Sequence, residues 1–237
     1  MKWFCLTIAC LGLLGFAAFR TLFSGQTVSW HQRLTVIVDT PAGEVRGSAV
    51  TEVTNVLTDG AWVVPQAQGV HTTIKGEATV VEVTPGHFLF ALVSNAGVWA
   101  YEAFDLRHKG LPEVKAKLTS QPPDSPVPLN LNDVESLMHA SGSPMLVTFT
   151  DITDPKTVQK VDPLDFAASF GPGVALKAIT LEITHDPMTE GKVASILPWL
   201  FKIWPDRLNG ERFGNVDPNV SLSGYLSSND FSTEIKK

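Results

Sequence analysis

The stretch RLTVIVDTPAGEVRGSAVTEV, residues 33–53, decides how this chain is read. Leu34, Val36 and Val38 point one way and Thr35 and Ile37 the other, which is the two-residue period of a strand. Thr40-Pro41-Ala42-Gly43 supplies a proline and a glycine for a tight reversal, and the following residues return as a second strand. A second hairpin is predicted over 76–93, turning at Pro85-Gly86. Two hairpins in succession, with GAWVVP between them, predict an antiparallel meander.

Residues 96–118 are less regular and carry helical potential. Four prolines fall within the seven residues from Pro122 to Pro128, a composition that favours an extended path. This Pro-rich stretch, 119–131, reads either as a linker or as a surface crossing within one domain. It separates a β-rich, sandwich-like region (28–118) from a mixed one (132–225). In the second region, 132–141 reads as a short helix capped by Asn132, 144–152 as a strand, and 162–171 as a short helix closed by Gly171. Residues 174–184 form a further strand with Ile179, Leu181 and Ile183 on one face. The segment 190–204 has apolar residues at helical spacing broken by Pro198, and its aromatic part suits a core helix better than a membrane interface, since its single Lys gives a weak polar face. Residues 226–237 are polar and read as a flexible tail. The expected class is a β-rich α+β protein, with an N-terminal membrane helix, an antiparallel hairpin region and then a mixed β-α-β region.

The membrane helix is inferred from seventeen uncharged, mostly apolar residues, Trp3 to Phe19, between Lys2 and Arg20. A spanning helix needs about 20 residues, with a range down to about 17, whereas the core of a signal peptide runs roughly 7–15. Residues 1–24 therefore read as an anchor or signal segment. Leu22 and Phe23 spoil the small-residue pattern of a cleavage site, which favours retention over secretion after cleavage. Both cysteines, Cys5 and Cys10, lie inside this segment. The remainder can form no disulfide, no thiolate metal site and no Cys nucleophile. Without Lys2 and Arg20 the chain carries 16 basic and 24 acidic residues, a net charge of −8, and it has no basic run. Nucleic-acid binding is disfavoured on those grounds.

Asp151, Asp154, Asp162 and Asp165 crowd into fifteen residues, DITDPKTVQKVDPLD. An Asp before Pro suits a helix N-cap, since its carboxylate accepts free backbone N–H groups and the proline has none to lose. Asp154 and Asp162 are assigned that role. Neither the alternating ligands nor the glycine of a calcium loop is present. The six histidines show no zinc-type pairing, and nucleophile-elbow, phosphate-loop and dinucleotide glycine motifs are lacking. No cofactor or metal is implied. The best residual catalytic candidates are Asp151, His185 and Asp186. If strands 144–152 and 174–184 were parallel neighbours joined by the intervening helix, their carboxyl ends would bring Asp151 close to His185 and Asp186, where a carboxylate could orient the imidazole as a base.

WHQRLTVIVDTPAGEVRGSAVTEV after an apolar segment, together with MLVTFTDITDPKTVQKVDPLDFAASFGPGVALKAITLEIT, resembles a family of uncharacterised bacterial membrane-anchored proteins across most of the chain. The resemblance implies an anchored extracytoplasmic protein and carries no activity or site residues with it. The expected function is a membrane-anchored envelope protein acting as a binding or assembly module. It would be held in the inner membrane by residues 3–19, with its bulk in the periplasm and an envelope protein as partner. Two rival readings are an envelope hydrolase whose residues converge in the fold and a periplasmic carrier of an apolar ligand.

Overall fold

A computed structural model describes residues 26–58, 68–123, 125–129, 142–212 and 220–234. The predicted N-terminal anchor, both cysteines, GAWVVP and the predicted helix at 132–141 lie outside them. The first hairpin forms as read. β1 (Gln26–Thr40) and β2 (Gly43–Thr58) pair antiparallel along their whole length, from Gln26 opposite Leu57 to Thr40 opposite Gly43. β3 (Gly69–Lys75) returns along β2. On the other side of β1 lies β9 (Ala175–Thr184), also antiparallel, and outside it the two-residue β6 (Val127–Pro128). The resulting five-stranded sheet has the order β3-β2-β1-β9-β6.

The second hairpin also forms, but in a different sheet. β4 (Thr79–Thr84) and β5 (His87–Ala91) join β7 (Leu146–Phe149) and β8 (Val158–Lys160) in a four-stranded antiparallel sheet. The single meander is thus two. The Pro-rich stretch supplies β6, and a proline can stand there because an edge strand need not donate on its outer side. Strands from before and after it share both sheets, β9 pairing with β1 and β7 with β5.

Short helices complete the α+β pattern: α1 (Ala96–Ala103), α2 (Leu111–Thr119), α3 (Phe166–Phe170), α4 (Lys192–Ile196), α5 (Leu222–Tyr225) and α6 (Ser228–Phe231), with a 3-10 turn at Pro155–Thr157. α1 and α2 help cover the inner face of the five-stranded sheet, where Val28, Trp30, Leu34, Val36 and Val38 meet Trp99, Leu111, Val114 and Leu118 in one core. Val81, Val83, Leu89 and Ala91 belong to the same core. Their neighbours Val80, Phe90 and Leu92 face a second core with Phe149, Trp199 and Phe231. β5 is therefore covered on both faces, which is why FLFALV, residues 88–93, runs apolar without alternation. The sheets come into close contact at Gly47, where a Cβ would lie 2.0 Å from the Val80 carbonyl oxygen.

Three expectations are corrected. First, strands 144–152 and 174–184 are not parallel neighbours: β7 and β9 lie in different sheets, and every strand pairing among the described residues is antiparallel. Second, Asp165 and not Asp162 caps α3, its Oδ1 accepting from Ala168 N at 3.1 Å, while Asp162 accepts from Leu164 N at 2.8 Å in the preceding turn. Asp154 does cap its turn, accepting from Lys156 N at 2.9 Å. Third, residues 226–234 do not fray. Phe231 is fully buried, its carbonyl accepts from Ala78 N, and Thr233 N donates to Gly76 O. One aromatic side chain overrides a polar composition. The segment 190–204 is helical only over α4 and continues as turns, with Leu197, Trp199 and Leu200 in the second core as expected.

Candidate functional site

At one end of the five-stranded sheet, the start of β1 and the end of β9 run out beside α2 and leave a cleft of ≈390 Å³ between them. Val28, Trp30, Leu118, Pro123 and Ile183 give it an apolar lining; Ser29, His31, Lys115, Thr119, Gln121, Thr184 and His185 supply the polar part. The geometry follows from two periods. On α2, Leu111, Val114 and Leu118 recur at helical spacing and pin the helix over the sheet, so the exposed Lys115 and Thr119 stand at its margin. Ile183 on β9 and His185 just past its end are two residues apart, and both line the cleft. The Trp30 indole N–H already donates to Gln32 Oε1 at 3.0 Å, and Gln32, itself fully buried, donates to the Ala96 carbonyl at 2.7 Å. What Trp30 offers the cleft is therefore ring surface.

His31 Nδ1 lies 2.6 Å from the backbone carbonyl oxygen of Asp186. A carbonyl can only accept, so Nδ1 carries the proton of this hydrogen bond. The turn that holds this carbonyl is itself braced. Asp186 N donates to Thr184 Oγ1 at 3.1 Å, and the Asp186 carboxylate is paired with the Arg33 guanidinium, which also pairs with Glu182. Arg33 thus cross-links β1 and the end of β9 on the face away from α2. Ser29 shares a 2.8 Å hydrogen bond with Thr54 Oγ1 and donates to Glu52 at 3.4 Å, so its hydroxyl is engaged by the neighbouring strand and not by a histidine.

The three predicted site residues part company in the structure. His185 stands in the cleft. Asp186 follows it, but its carboxylate belongs to Arg33. Asp151 is on the other sheet, just past β7, where its Oδ1 accepts from Thr153 N at 2.9 Å and from Thr153 Oγ1 at 2.7 Å. Those two bonds, the hydroxyl's first, hold the Asp151 carboxyl below its ordinary range. It is a turn-forming aspartate. The cleft residues that sequence reasoning did not single out are His31, Lys115 and Trp30; the apolar spacing along 111–118 was the signal that could have placed Lys115 beside a sheet end.

Two groups away from the cleft, the buried Glu77 and the partly buried Tyr101, are perturbed. Glu77, 2% exposed, accepts from Lys192 N and Val193 N at 3.1 Å each and so caps α4 from a distant strand end. Loss of solvent raises its carboxyl above the usual range, against the lowering effect of those N–H groups. Burial likewise raises Tyr101, whose hydroxyl accepts from Asn55 Nδ2 at 2.8 Å while Thr72 donates to Asn55 Oδ1 at 2.8 Å. Both are structural links between the sheets and their helices. Among the described residues no group of three or more His, Cys, Asp or Glu side chains converges as a metal site, and no helix is long and apolar enough to cross a membrane.

Comparison of the chain with protein-family models, with curated proteins and with solved structures finds no match.

Proposed function

We propose that this chain is a membrane-anchored envelope protein that acts as a binding module, with the cleft between β1, β9 and α2 as its binding site. The observation that carries the reading is the position of that cleft. It lies at the N-terminal end of β1, nine residues after the uncharged run 3–19 ends at Phe19. At no more than about 3.6 Å per residue, a chain leaving the membrane at Phe19 brings Val28 to within roughly 30 Å of the bilayer surface. A cleft of ≈390 Å³ with an apolar lining and a few polar groups falls within the size and character of small-molecule sites. The carrier reading is the second choice and draws on one feature, the sheet forming one wall of the cleft. The hydrolase reading draws little support, since Asp151 is remote in the topology from His185 and the Ser29 hydroxyl is held by Thr54 and Glu52.

Protease added to spheroplasts tests the anchoring. Digestion should remove the chain from about residue 26 onward and leave a membrane-protected fragment containing Trp3–Phe19. Full protection of the bulk, or a soluble mature chain, would refute it. Binding is tested by thermal shift of the full chain against a library of small water-soluble molecules, with Thr119→Trp filling the cleft. Stabilisation by at least one compound, lost in that variant, is expected; no compound acting through the cleft would refute the binding role.

A further inference from the structure

Resting on the cleft as the binding site, we infer that its ligand is a small amphipathic anion, an apolar or aromatic body carrying a carboxylate-type head. The charge distribution carries this. The protein is acidic overall, with 24 Asp and Glu against 18 Lys and Arg, yet the described residues lining the cleft include Lys115, His31 and His185 and no Asp or Glu. Three acids of the neighbouring strands and turn are paired elsewhere: Asp186 and Glu182 both pair with Arg33, and Glu52 takes Lys75 at 3.4 Å. Lys115 forms no salt bridge with a carboxylate among the described residues. An uncompensated ammonium beside the His185 imidazole, in a chain of opposite net sign, is a local field that selects anions.

The apolar half sets the rest of the ligand. Val28, Leu118 and Ile183 with the ring of Trp30 offer surface for a hydrocarbon or aryl group, since the indole N–H is used inside by Gln32. The volume is near the lower end of the range for ligand pockets, which suits a single short chain or ring. Lys115 and His185 are both exposed and donate from opposite walls, the helix and the strand end, so a head group between them would meet a donor on each side.

The test uses the full chain in lipid nanodiscs, labelled with 5-fluorotryptophan, with the Trp30 fluorine resonance assigned by Trp30→Phe. The probes are 3-phenylpropionate and its uncharged amide, 3-phenylpropionamide. The carboxylate should move the Trp30 resonance saturably and bind at least about tenfold more tightly than the amide, the factor expected of one charge-assisted hydrogen bond. Lys115→Gln and His185→Gln, both at exposed positions, should each weaken the carboxylate severalfold and leave the amide unchanged. Equal affinity for the two probes, or indifference of the carboxylate to Lys115→Gln, would overturn the anion preference while leaving a binding cleft in place. If neither probe moves Trp30 and Thr119→Trp changes nothing, the cleft is not a binding site and both readings fall together.

Discussion

Glu77 offers the sharpest test of how the two halves of the fold are joined. It stands between β3 and β4, yet its carboxylate takes the first free N–H groups of α4, more than a hundred residues away. Glu77→Ala would strand both donors. Lys192 is exposed, so water can replace the oxygen there at little cost, whereas Val193 is fully buried and its N–H would stay dry. One dry amide costs about 1–3 kcal/mol and a lost cap about 0.5–2 kcal/mol. Relief of the buried charge offsets part of this, so a net loss of about 2 kcal/mol is expected at neutral pH. Glu77→Gln keeps one acceptor and should lose about half as much. The pH dependence has a definite sign. Because desolvation raises the native carboxyl, the folded state binds a proton more readily than the unfolded one between the ordinary value of 4.5 and the native value. The stability this group contributes is therefore fully present below 4.5 and is lost as pH rises through its native titration. Urea unfolding of wild type and Glu77→Gln from pH 4 to 8 should show the wild-type advantage growing as pH falls. An advantage that is flat or shrinks on acidification would refute the desolvation argument, and an Ala variant within about 0.5 kcal/mol of wild type would refute the cap itself.

Three other substitutions probe particular contacts. Gly47→Ala places a Cβ 2.0 Å from the Val80 oxygen, where ordinary contact begins at 3.4 Å; one sheet must shift, and a loss of about 1–3 kcal/mol or more is expected in thermal unfolding. Phe231→Ala removes a ring whose centroid is 5.7 Å from that of Phe90 and 5.8 Å from that of Phe149; it should cost about 3–5 kcal/mol, a fall in Tm of roughly 10 °C, whereas an unpacked tail would show no change. Asp165→Ala should cost about 0.5–2 kcal/mol through loss of the α3 cap, more than Asp162→Ala, and the reverse order in denaturant melts would restore the cap to Asp162.

What could be read in the sequence was what is settled by neighbours along the chain. The β1–β2 and β4–β5 hairpins were legible because alternation and a Pro or Gly turn are both local. Which sheet each hairpin joins was not, since period-two alternation says that a face is buried and not against what. The one hint was that 88–93 runs apolar on both faces, the mark of a strand covered on both sides. The α3 cap was misplaced by three residues because Asp162-Pro163 and Asp165-Phe166 both satisfy an N-cap pattern; Asp162 spends its oxygen two residues ahead, and the helix then starts from the next available aspartate. Phe231 was hidden in a run of Ser, Asn, Asp and Thr, whose composition describes solubility and says nothing of a single side chain filling a distant aromatic cluster.

The candidate site shows the same division at closer range. His185 and Asp186 were picked out as residues at a strand end, and His185 does line a cleft; counting by twos from Leu181 through Ile183 leads to it. Its partners were sought on the wrong strand because a twenty-residue connection with a helix permits a parallel crossover but does not require one. The chain instead returns β9 to the outer edge of β1, where pairing at His31 opposite Thr184 sets two histidines at the same sheet end. Antiparallel return to β1 is thus what brings residues 28–31 and 183–185 together, and α2, docked by Leu111, Val114 and Leu118, is what turns that sheet end into a cleft. Each of the three segments is ordinary by itself. A cationic, apolar-lined cleft arises where they meet, so its chemistry depends on the pairing of β1 with β9 and could not be found before that pairing was known.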